Sequence, residues 1–310
     1  MSNETDITLP SEDILRTSAY ILFVLLQFIP YTIILRIIYT DTNTYEATVY
    51  RIIFNLGIAD CVCLIFHCTA LPFTLWQIPM KTWIVRVCGA FLNGFAWGTD
   101  HFSLMLAFNR FITFSLHPNT VQTIDKKSYK IWIICAYIWA LIVAAWNLTP
   151  MSGVYYDWES LSWGYSYEGS DYMETVEISI SVSQLVLAAI FYLLTIAKLL
   201  FIKSTYNTKM DFKNEIKLLI QAIIIGGFSV FVIIYWNVLY QSFDPSYADF
   251  LGNLMWIIQN GMNPYLYLAM NPRIRKSFKE YFADKIKRRT QQNQIILLPR
   301  TSVVTVESKF

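Results

Sequence analysis

Apolar residues fill this chain in long, nearly continuous stretches. Seven of them, at 18–39, 50–73, 85–114, 131–149, 178–201, 218–239 and 250–270, approach or exceed the about 20 residues that a helix needs to cross the hydrocarbon core of a bilayer. A soluble helical protein would show a polar stripe on each helix, and here the apolar character runs nearly all round. The pattern predicts an all-α membrane protein: a seven-helix bundle over 18–270 with short loops between the helices. After it, Ile274, Phe278, Tyr281, Phe282 and Ile286 recur at spacings of three and four, with Arg273, Arg275, Lys276, Lys279, Lys285 and Lys287 between them. That predicts a basic amphipathic helix over 271–289, lying on the membrane surface among its lipids. The segments 1–17 and 290–310 read as an outer and an inner tail, the latter flexible. With no internal repeat and no Gly/Ser-rich linker, the chain is one membrane domain.

Charge sets the orientation. Of 310 residues, 55% are hydrophobic and only 15% charged. If the N-terminus is outside, the outer segments hold only Arg16, Lys81 and Arg86. The inner loops then hold Arg36, Arg51, Lys126, Lys127, Lys130, Lys198, Lys203, Lys209, Lys213 and Lys217, joined by every base from Arg273 to Lys309. Basic residues favour the cytoplasmic side, so the chain is expected in the plasma membrane with its N-terminus outside and its C-terminus inside. The polar, acidic start shows no basic-then-apolar leader, and the first span is expected to serve as its own insertion signal. Asn3 in Asn3-Glu4-Thr5 is then a candidate glycosylation site.

Charges inside a membrane are costly and therefore mark function. Asp60 lies about 15 Å deep on the second helix and Asp100 at a similar depth on the third, at 1.5 Å per residue. Thr99 is beside Asp100, and Asn260 and Asn263 lie about 10–15 Å deep on the seventh helix. These groups are expected to meet in one polar layer, satisfied by hydrogen bonds, water or a cation. A sodium ion is the one inorganic guest considered; no other cofactor and no metal site is expected. Arg110 sits at the inner end of helix three within Asn109-Arg110-Phe111. On helix seven, Pro264 removes a backbone hydrogen bond and kinks the helix, Asn263 can satisfy a freed group, and Tyr267 lies one turn further in.

Asp60 with Leu56, the Asn109-Arg110-Phe111 triplet, Trp139 on helix four and Asn263-Pro264-x-x-Tyr267 together resemble rhodopsin-like G-protein-coupled receptors, over roughly 18–286. The phrase from Tyr50 to Asp60 and the Asn-Arg-Phe variant resemble the nematode serpentine chemoreceptors of the t, v and x classes. The resemblance implies a signal transducer that senses an extracellular small molecule or peptide and activates a heterotrimeric G protein, with Asn109, Arg110, Phe111, Asn263, Pro264 and Tyr267 as its switch. The family's usual acid before the arginine is replaced by Asn109, which implies a weaker resting hold on Arg110. The family also ties the outer end of helix three to the second outer loop by a disulfide. The loop 151–177 has no cysteine, so Cys88 has no such partner, and Trp158 and Trp163 would have to fold onto the outer helix ends instead. Helix five has no proline, and helix six lacks the usual tryptophan-x-proline toggle.

The second outer loop is acidic and aromatic and carries no base. It reads either as a solvated loop or as a lid that favours neutral or cationic ligands and repels anions. Candidate pocket residues are Asn93, Phe95 and Trp97 on helix three, Trp158 and Trp163 in the loop, Tyr235 and Trp236 on helix six, and Trp256 on helix seven. An aminergic receptor is disfavoured, because the acid expected in the outer half of helix three is absent and only Asn93 lies near that level. An opsin is disfavoured because helix seven has no lysine. The alternative class is a seven-helix channel or transporter, which calls for charges along a continuous path and for repeated or broken helices. An enzyme needs clustered ligands or a nucleophile–base pair, and His67, His101 and His117 show no such spacing. No nucleic-acid partner is expected.

Overall fold

The computed structural model describes residues 11–165, 170–206 and 212–297. Asn3 and the end of the inner tail lie outside the described residues. The first span is α1 (Ser11–Thr40), and α2 (Thr42–Tyr45) forms one turn in the first inner loop. The second span is α3 (Thr48–His67), extended by α4 (Ala70–Leu75). The third and fourth are α5 (Trp83–Ser115) and α6 (Pro118–Asn147). A hairpin of β1 (Val154–Asp157) and β2 (Ser162–Tyr165) follows, then α7 (Ser170–Tyr206) and α8 (Phe212–Ile234) as spans five and six. The seventh is split into α9 (Pro245–Gly261) and α10 (Asn263–Met270), and α11 (Pro272–Leu297) closes the described chain.

Five of the spans are long and apolar enough to cross a membrane by length and hydropathy alone. The two that are not, α5 and the α9–α10 pair, contain buried Asn93, Asn109, Asn253, Asn260 and Asn263. Their polar side chains face protein rather than lipid, which is how a membrane bundle accommodates such groups. The molecule is an all-α membrane protein with seven spans.

Local chemistry sets the breaks. Asp41 caps α2 by accepting from Thr44 N, and Pro118 opens α6 just after the capping His117, as fits a residue that donates no N–H. Asn263 opens α10 directly after the gap at Met262, with Pro264 in its first turn. Asn271 Oδ1 accepts from Arg273 N at 3.0 Å and Ile274 N at 3.2 Å, so Pro272 starts α11 instead of ending the chain's helical course. Ile274 is buried and Phe278 half-buried against the bundle, which gives the amphipathic helix an anchored first turn. It runs on past the expected boundary at Arg289 to Leu297.

The bundle packs around α5, which lies against α3, α6 and α7 along its length. A Cβ at Gly94 would lie 2.5 Å from Ala140 O and 2.9 Å from Ala144 Cβ, so small residues here bring two helix backbones together. In contrast, α8 touches α7 only lightly. Where helix six lacks its proline, its outer end passes into a π-helical turn, Tyr235–Leu239. Such turns let a helix bend without one.

Candidate functional site

Asp60 is fully buried and is the node of the inner bundle. Tyr31 donates to its Oδ2 at 2.5 Å from α1, and Asn263 donates to the same oxygen at 2.9 Å from α10. Thr99 donates to Oδ1 at 3.0 Å from α5. One carboxylate therefore ties four helices together. Asp60, Thr99 and Asn263 were expected from the sequence; Tyr31 was not, since a tyrosine inside an apolar span carries no spacing signal.

The expected polar layer is only partly realised. Asp100 does not join the Asp60 node by a hydrogen bond; it accepts from Ser181 on α7 at 2.9 Å. Neighbouring residues on a helix point about 100° apart, so Thr99 and Asp100 cannot both face Asp60. Asn260 is buried at this level without bonding Asp60, and its Nδ2 has no hydrogen-bond partner. Asn263 Oδ1 and the Tyr267 hydroxyl are also buried and unpartnered. Such groups cost about 1–3 kcal/mol each, so the seventh span stands to gain bonds by rearranging. A sodium ion would need oxygen lone pairs directed at it. Tyr31, Thr99 and Asn263 direct hydrogens at Asp60, while Asn263 Oδ1 remains a free oxygen acceptor at the same level.

Below this node lies a narrow, partly open cleft between α5, α7 and α8. Arg110, Tyr192, Thr195, Gln221 and Ala222 line it. Tyr267, fully buried on α10 one turn beyond Asn263, is near enough to both Asp60 and Tyr192 to feel their charge, though it does not itself line the cleft. Asn109 points elsewhere: it is buried and lines a second cleft with Thr48, Ser128 and Tyr129, between α3, α5 and α6. Phe111 packs its ring on Phe191 of α7 at 5.6 Å between centroids. The triplet is thus spread over three directions.

At the outer end, the second loop is neither solvated nor loose. Its strands pair antiparallel, with Tyr156 opposite Trp163, and Val154, Tyr155, Tyr156, Leu161 and Trp163 are all buried. Tyr156 and Thr74 share a hydrogen bond at 2.9 Å, and Tyr20 donates to Leu161 O at 2.9 Å. Burial pushes the Tyr156 phenol well above its usual range. Trp163 packs on Phe73 and Tyr156, and Trp158 packs partly buried at the edge of the same core. A Cβ at Gly89 of α5 would lie 1.8 Å from Val154 O, so the hairpin rests directly on the α5 backbone. All five cysteines are free, Cys88 among them.

The eight candidate pocket residues do not line one space. Asn93 is buried and donates to the Tyr165 hydroxyl at 2.7 Å. Trp97 packs on Trp139 at 5.9 Å, while Phe95 turns toward Tyr137 and Phe91. Tyr235 is buried and donates to Ala248 O at 2.7 Å, fastening helix six to helix seven. Trp236 is 37% exposed and stacks on Tyr240. Trp256 meets the ring of buried His67 edge-on at 5.2 Å. Helical phase sends these residues to different faces. Tyr165 meets Asn93 and Glu177, and Ser181 meets Asp100; these partners stand out less in the sequence because Glu177 reads as one more acid of the loop and Ser181 lies in an apolar helix.

The profile of the family described as serpentine type 7TM GPCR chemoreceptor Srt matches residues 10–291. No curated protein matches the chain.

Proposed function

The chain belongs to the Srt family of serpentine seven-transmembrane chemoreceptors, and we propose that it couples an extracellular small molecule to a heterotrimeric G protein. The family is one of receptors, not enzymes. The observation that carries the coupling reading is the placement of Tyr267. Its buried, unpartnered hydroxyl lies one turn beyond Asn263 of the Asp60 node, on the helix that leads toward the end of the bundle where Arg110 and Tyr192 line the cleft. An inward swing of Tyr267 satisfies its hydroxyl and changes the cleft at once. The G protein engages at this cleft, with Arg110 as its contact, and α8 moves because it is lightly held against α7. The charge bias supports a cytoplasmic location for this end, with Asn3 on the opposite side, and the receptor reading calls for the plasma membrane. Arg110→Ala, at matched surface expression, is expected to abolish G-protein nucleotide exchange in membranes carrying the receptor. Exchange at the parent rate in that variant would remove the basis of the proposal.

A further inference from the structure

One face of α5 carries Asn93, Trp97 and Asp100, at spacings of four and three, so that they lie along one stripe. Against it α7 sets Glu177 and Ser181, also four apart. Ser181 donates to Asp100 at 2.9 Å, and Glu177 accepts from the Tyr165 hydroxyl at the end of β2. Among the described residues, no Lys or Arg pairs with either acid. Two half-buried carboxyl groups thus share a seam whose donors, among the described residues, are neutral.

Asn93 shows what the seam lacks. It is 1% exposed. Its Nδ2 is directed at the Tyr165 hydroxyl, which itself reaches Glu177. The Oδ1 of the same amide is buried with no hydrogen-bond partner. An unpaired acceptor beside a carboxylate without a counter-charge calls for a cationic donor. The buried ring of Trp97, held by Trp139, supplies an aromatic wall of the kind that favours cations.

We propose that the seam between α5 and α7 binds a small protonated amine. Its ammonium group donates to Glu177 and to Asn93 Oδ1, displacing the Tyr165 hydroxyl, and its hydrocarbon part lies against Trp97. The acid absent from the outer half of helix three is here supplied by helix five. Displacing Tyr165 releases the end of β2, so occupancy of the seam is felt by the hairpin. This assigns a ligand class to the receptor and rests on the receptor reading.

The test uses the full-length protein in lipid nanodiscs without G protein, and reads the thermal unfolding midpoint. The probes are 2-phenylethylamine, 3-methylbutylamine and hexylamine, each beside the alcohol and the carboxylate of matching skeleton. At least one amine is expected to raise the midpoint saturably, with no effect from its alcohol or carboxylate. Glu177→Gln is expected to raise the amine concentration required by more than about tenfold, the scale of one lost charged hydrogen bond, whereas Glu177→Asp retains the response. Arg110→Ala, at the far end of the bundle, leaves it unchanged. No response to any amine, an equal response to the alcohols, or an undiminished response in Glu177→Gln each overturns the assignment. The parent protein alone decides the amine-against-alcohol comparison if the variants fold poorly. Because this measurement is independent of nucleotide exchange, a chain that passes the Arg110 test and fails here loses the ligand class and keeps the coupling.

Discussion

Tyr31 shows how much one hydroxyl does in this bundle. It is fully buried in α1 and donates to Asp60, an acceptor already bonded by Thr99 and Asn263. Tyr31→Phe keeps the ring's packing and removes only that donor. A hydrogen bond to a charged group contributes about 1.5–3 kcal/mol, so the variant is expected to unfold at a lower temperature than the parent in the same nanodiscs, with its receptor fold intact. An unchanged midpoint would show that Thr99 and Asn263 alone satisfy the carboxylate. Asp60 and Asn263 were legible in the sequence because a charge and an Asn-Pro pair in apolar helices have few innocent explanations. Tyr31 was not, because tyrosine is at home near membrane interfaces and nothing in its spacing points inward. Glu177 was hidden in another way: it reads as the last acid of an acidic loop until the helix is seen to begin before it.

The hairpin β1–β2 and the break before α11 are where elements meet. The hairpin is held by buried aromatic rings, by Tyr156 and Tyr20, and by close contact with the α5 backbone at Gly89, with no covalent tie. Two opposite outcomes follow. Cys88→Ser is expected to leave surface expression and the response to mild external reductant unchanged, since Cys88 is free. Gly89→Val is expected to lower surface expression and open the hairpin to external protease, because no shift of a side chain relieves a clash with the backbone of β1. If Cys88→Ser is the more damaging of the two, the hairpin is held in a way this packing does not explain. At the inner end, Asp41 holds Thr44 and reaches Arg273 of α11 at 3.3 Å. The bond from Thr44, helped by Arg273, lowers the Asp41 pKa below the ordinary carboxylate value. A depressed folded-state pKa means that the tie is complete at neutral pH and is lost as pH falls below about 4. Asp41→Ala should therefore mimic acid, making α11 more accessible to protease at pH 7 and removing any further change on acidification. The amphipathic helix was legible from its period. The hairpin was not, because its alternation is short and its acids suggested solvent, although the missing cysteine rightly implied that the loop's tryptophans must pack.

At the scale of the whole molecule, the coupling proposed above needs a second arrangement in which the arginine-lined cleft is engaged, and in that reading Asn109 biases the balance from the side. It precedes Arg110 but is only 7% exposed and looks toward α3 and α6, away from the cleft. Membership of the family and the seven spans were readable from hydropathy and a few motifs, whereas this divergence of adjacent side chains depends on helical phase and packing. Asn109→Asp places a carboxylate on the α3–α6 side of the helix end, which the long Arg110 side chain reaches only by leaving the cleft. To avoid a buried unpaired charge, the acid draws the arginine toward itself and out of the cleft. A charge-assisted bond of about 1.5–3 kcal/mol lowers the population of the arrangement that presents Arg110 by about tenfold or more. Basal G-protein nucleotide exchange is therefore expected to fall by a similar factor at matched surface expression, while amine-induced stabilisation at the α5–α7 seam remains. A basal rate equal to the parent's would mean that Arg110 is not held from its own helix, and that the resting state depends on α7 and α8 instead.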